Sequence, residues 1–193
     1  MVDVTYFSTR DIAAIAICAA LWGMLNVMIS PVFWTLTRLP FACDLIGFTC
    51  LAIAVRWTRR VGTATLVGII ATIINLSLRP SAPHFIGFTA ASVVYDGLAW
   101  LIGYRRLFTH LIGSFLGIIV ISVVSGGVAG FIIGRLFMDP VVIANVYGTP
   151  FLFAGLHAFG GVLGGFLGCL VIQAIQLRGV LPHPAEPITR IGV

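Results

Sequence analysis

A chain of 193 residues that is 60% hydrophobic and 9% charged carries more apolar surface than a soluble domain of that length can bury, so an integral membrane protein is expected. Its net charge of +5 comes from arginine alone, scattered along the chain, which excludes the contiguous basic face that nucleic acid requires. The four cysteines, Cys18, Cys43, Cys50 and Cys169, form no CxxC pair and fall mostly inside apolar runs, as packing residues do and disulfides or metal ligands do not.

Apolar runs broken by polar, proline and glycine residues predict six helical spans, at about 12–30, 41–56, 61–78, 84–103, 109–135 and 149–177. They lack the period-two alternation of barrel strands. The expected fold is all-α integral membrane, one domain over 1–193, with both termini cytoplasmic and 178–193 a cytoplasmic tail. No signal peptide is evident, so the first span is expected to remain in the mature protein. Eight arginines (Arg10, Arg56, Arg59, Arg60, Arg105, Arg106, Arg178, Arg190) fall on the terminal side against three (Arg38, Arg79, Arg135) on the other, which sets the orientation.

In the first span Ala13, Ala16, Ala20 and Gly23 fall within an arc of roughly 80°, a smooth face that another helix can approach closely. Trp22 and Asn26 point elsewhere. Ser30 to Pro40 reads as an outward loop in which Trp34 is a belt anchor or a lid, and Asp44 begins the second span near the outer surface. The third span aligns Gly68, Thr72, Asn75 and Arg79; Asn75 lies deep enough to need a partner, whereas Arg79 reaches outward. Pro80 to His84 leads into the fourth span, where Phe88, Ser92, Asp96 and Trp100 share a face and Asp96 lies roughly 18 Å down. An aspartate at that depth is paired, protonated or functional. Glycines at four-residue steps dominate the last two spans (Gly126, Gly130, Gly134; Gly160, Gly164, Gly168), first of all a packing device. His157 lies within the second of these ladders. Polar groups Asn26, Asp44, Asn75, Arg79, His84 and His157 thus converge on the outer half, with Trp22, Trp34, Phe85 and Tyr147 available to stack on a planar ring.

The AxxxA of Ala16 and Ala20, the six spans, Arg59-Arg60-Val61-Gly62 opening the third, Asn75 near its end, the Pro-Ser-x-Pro turn at Pro80 to Pro83, Asp96, and the closing Arg178-Gly179-Val180-Leu181 together resemble the substrate-binding S components of energy-coupling-factor vitamin transporters. The order is similar to the branch for the thiamine precursor hydroxymethylpyrimidine. The resemblance spans nearly the whole chain. It implies a plasma-membrane subunit, not itself an enzyme and without cofactor or resident metal, that captures a small-molecule vitamin ligand from outside. Trp22, Asn26, Trp34, Asp44, Asn75, Arg79, His84, Ser92, Asp96, Tyr147 and His157 would form the substrate site. Ala13, Ala16 and Ala20 would dock on a transmembrane coupling subunit served by two ATPase subunits, since this chain has no P-loop.

Two other readings stand beside it. Ser125-Gly126 and His157 with Gly160, Gly161 and Gly164 resemble the serine and histidine helices of rhomboid intramembrane proteases, although Val123 stands where a GxSG motif needs glycine. A purely structural, glycine-packed membrane subunit is the third.

Overall fold

The computed structural model describes residues 6–179, and every regular element in them is helical. Val180, Leu181 and Arg190, with most of the expected tail, lie outside the described residues. In chain order the elements are α1 (Thr9–Thr37), α2 (Phe41–Thr58), α3 (Thr63–Leu78), α4 (Phe85–Ile102), the short α5 (Tyr104–Leu107), α6 (Leu111–Ile132) running into a π turn (Ile133–Phe137), α7 (Pro140–Val142) running into a second π turn (Ile143–Tyr147), and α8 (Pro150–Leu177). Five stretches are long and apolar enough to cross a membrane: α1, α2, α4, α6 with its π turn, and α8. The third expected span is a shorter apolar helix of 16 residues, about 24 Å at the helical rise. Outward faces carry Ile17, Met28, Leu101, Ile112 and Leu116, as a multi-pass membrane protein requires.

Local chemistry sets the helix ends. Ser8 and Asp11 form a reciprocal capping box at the start of α1. The helix then runs through Pro31 to Thr37, where the sequence reading ended it at Ser30 and placed a loop. Proline removes one N–H, but in an apolar setting continuing the helix exposes fewer backbone groups than breaking it. Hydroxyls of Thr35 and Thr37 donate to the carbonyls of Pro31 and Phe33, at 2.7 and 2.8 Å, in the turns that follow the proline. Arg38 and Arg59, with φ of 60° and 52°, end α1 and α2 in the left-handed region where glycine is the usual residue.

The six long helices close a ring: α1 packs on α2 and α3, α3 on α4, α4 on α6, α6 on α8, and α8 on α2. The glycine ladders build the tightest part of it. Beta carbons at Gly126 and Gly130 of α6 would run into His157 of α8, and those at Gly161 and Gly165 would run into Ser122 of α6. The other row of α8 faces α2, where Gly160 and Gly164 abut Asp44 and Gly168 abuts Ala52. Thr49 donates to the Gly164 carbonyl at 3.2 Å across this seam. Phe48 of α2 stacks on Tyr95 of α4 with centroids 6.3 Å apart and fills the middle of the ring. Hydroxyls of Thr89 and Thr72 join α4 to α3. The alanine stripe divides: Ala13 and Ala16 are exposed and Ala20 half-buried, whereas Gly23 is buried against Ile74 of α3 and belongs to the bundle.

Candidate functional site

Above the Phe48–Tyr95 layer, at the end holding Arg38, Arg79 and Arg135, the ring opens into a cavity of about 280 Å³. The last turns of α1 contribute Asn26, Ser30 and Trp34; the connection from α3 to α4 contributes Arg79 and His84; α4 contributes Phe85 and Phe88; α8 contributes Phe153 and His157. The π turn after α6 brings in Ile133, and Met138 follows it. Such a turn adds a residue to the helical repeat and so redirects side chains, a use common at functional sites.

Two buried polar groups face this space. On one side Asn26 Nδ2 donates to Asn75 Oδ1 at 3.2 Å, Ser30 donates to Asn26 Oδ1, and Asn75 Nδ2 donates to the Ala71 carbonyl at 2.7 Å. Asn75 therefore stands behind Asn26 and orients its amide. On the other side His157 Nδ1 lies 2.9 Å from Asp44 Oδ1, with Asp44 fully buried. The hydrogen bond between Nδ1 and Asp44 fixes the ring and leaves Nε2 free of it. His157 Nε2 indeed has no partner among the described residues. Of the buried side-chain atoms without a partner among the described residues, only this one belongs to a residue lining the cavity. Gly160 makes the pair possible, because a Cβ there would fall on the Asp44 carboxylate.

The walls are aromatic. Phe153 and Phe88 meet the His157 ring with centroids 4.8 and 5.8 Å away, and Trp34 lies against Tyr147 and Phe153 at 6.1 and 6.5 Å. Tyr147 donates its hydroxyl to the Arg38 carbonyl at 2.5 Å, tying the second π turn to the end of α1. At the rim, burial and then the neighbouring charges of Arg79 and His157 push the His84 pKa down to about 4, so His84 is neutral beside a cationic Arg79.

Of the residues singled out in the sequence, Asn26, Trp34, Arg79, His84 and His157 line the cavity. Asp44, Asn75 and Tyr147 stand directly behind them. Three lie apart. Trp22 is buried edge-on to Phe88 over Gly47, Ser92 donates to the Phe88 carbonyl and packs on Gly68, and Asp96 Oδ2 accepts from the Thr65 backbone N–H at 2.8 Å, capping the start of α3. The sequence reading missed Ser30, Cys43, Phe88 and Phe153 as lining residues. Ser30 and Phe153 stand one helical turn from Asn26 and His157, so same-face spacing carried the signal for both. Among the described residues the hydroxyl of Ser125 has no partner, and neither has His157 Nε2, so the hydrogen bond by which a histidine activates a serine is not made. Among the described residues no cluster of His, Cys, Asp or Glu is suited to a metal. Comparison of the chain with protein-family models, curated proteins and solved structures gave no match.

Proposed function

We propose that this chain is the substrate-binding subunit of an energy-coupling-factor type importer in the plasma membrane, taking a vitamin or vitamin precursor of the thiamine-pyrimidine class. The observation that carries the reading is the cavity itself: an amide relay (Asn75, Asn26, Ser30) and a carboxylate-oriented histidine converge on an aromatic chamber closed below. At about 280 Å³ the chamber suits a single small ring system. An aminopyrimidine offers such a site a flat face for Trp34 and Phe153, and ring nitrogens and an amino group for Asn26 and His157 Nε2.

In this reading α3 also crosses the membrane, with its short length taken up by local thinning, so that there are six spans and both termini are cytoplasmic. The arginine bias supports that orientation and turns the cavity outward. Ala13 and Ala16 face away from the bundle and offer the smooth surface on which a coupling subunit would dock, with ATP hydrolysis left to two further partners. The test is to denature protein purified from its native membrane, identify any released small molecule by mass spectrometry, and titrate the empty protein with thiamine and hydroxymethylpyrimidine. A ring compound of this class is expected. Binding of neither compound, together with release of an unrelated molecule, rejects the substrate assignment.

A further inference from the structure

At the other end of the ring a second cavity, of about 210 Å³, opens between the last turn of α2, the start of α6 and the end of α8. Arg56 lines it opposite Gln173 and Gln176, and His110 and Ser114 close the α6 side. Arg56 is only 8% exposed, yet no carboxylate reaches it among the described residues, where the ion pairs are Arg60 with Asp11 and His157 with Asp44. Its neighbours are neutral or like-charged. The Phe108 ring lies 5.3 Å from its guanidinium carbon, the Gln176 amide can turn its oxygen toward it, and Arg59 comes over the same ring at 5.8 Å. A ring face and an amide do not neutralise two guanidinium groups, and a buried charge ordinarily has a counter-charge. The α6 terminus adds to the imbalance: Leu111 and Ser114 line the cavity, so the positive end of a 22-residue helix dipole lies at its wall.

We propose that this cavity is an anion site for a phosphate group, carried by a phospholipid headgroup of net negative charge in the adjoining leaflet or free in solution. A guanidinium fork matches phosphate oxygens, and the positive end of the α6 dipole favours the same anion. The surface beside the opening fits acyl chains, since Leu111, Ile112 and Leu116 are exposed and apolar. The inference does not depend on what the first cavity binds.

The test uses the full chain in neutral detergent, with lipid retention read by native mass spectrometry. Phosphatidylglycerol should be retained roughly tenfold or more over phosphatidylcholine, and Arg56→Gln should bring it down to the phosphatidylcholine level. Arg59→Gln, on a half-buried residue outside the bundle core, should weaken retention even if the Arg56 variant does not fold. Inorganic phosphate separates the sources. Binding of phosphate with no preference for the anionic lipid assigns the site to a soluble phosphate, and preference without phosphate binding assigns it to the headgroup. Equal retention of the two lipids with no phosphate binding overturns the proposal, as does unchanged phosphatidylglycerol retention in folded forms of both variants.

Discussion

At the scale of single residues, the buried polar side chains divide by what they touch. Asn75 and Asp96 both looked functional in the sequence, but Asn75 orients an amide at the cavity whereas Asp96 caps α3. Asn75→Leu leaves Asn26 Nδ2 unpaired and should weaken ligand capture roughly ten- to a hundredfold, measured by titration with the released ligand. Asp96→Ala should leave that affinity unchanged and cost about 1 kcal/mol of stability, the usual loss for a helix cap. An equal loss of affinity in both variants would show that Asp96 reaches the ligand. His84 predicts a pH dependence. Its pKa is about 4 in the folded chain against 6.5 ordinarily, so as pH falls through that window the unfolded chain takes up a proton that the folded chain refuses. Stability should therefore drop from about pH 6.5 toward 4, and His84→Gln should flatten that part of the apparent-Tm profile. A variant profile parallel to that of the unmodified chain would remove His84 as its origin.

At the scale of the elements, α8 organises the bundle because two glycine rows let it approach α6 and α2 at once. The four-residue glycine spacing announced close packing. Which row met which helix could not be read, since two rows offset by one residue differ by only about 100° around the axis. Gly160→Ala tests the consequence: a Cβ directed at the Asp44 carboxylate should overpack the seam, lowering stability by about 1–3 kcal/mol and disturbing the His157 pair. Gly155→Ala, with open space around its new methyl, should hold the melting temperature or raise it slightly, as alanine favours the helix. If the two variants melt alike, the contact between α8 and Asp44 is looser than described.

At the scale of the whole molecule, the prediction concerns the outer face of α1. Ala16→Trp with Ala20→Trp adds bulk on the side turned from the cavity, so ligand affinity in the isolated protein should hold while ATP-dependent uptake with the partner subunits is lost. Uptake that survives the double change moves docking to another surface. Orientation is tested separately in a chain freed of its four cysteines. A cysteine at exposed Ser81 or Ala144 should react with an impermeant reagent added outside, and one at exposed Val61 should not. The reverse pattern would turn the cavity inward.

The sequence by itself determined the helical class, the positions of the long apolar segments apart from the far end of α1, and most of the polar groups of the cavity, because burial in lipid makes each polar residue conspicuous. Tertiary structure alone decided what those groups touch. Whether Asp44 faces a ligand or holds His157, and whether Asp96 touches a ligand or a backbone N–H, depends on which helix lies across from it, and that is not written in the periodicity of either helix. It likewise decided that α1 continues past Pro31. A proline signals a break locally, but the cost of exposing backbone in an apolar medium outweighs the single N–H it lacks.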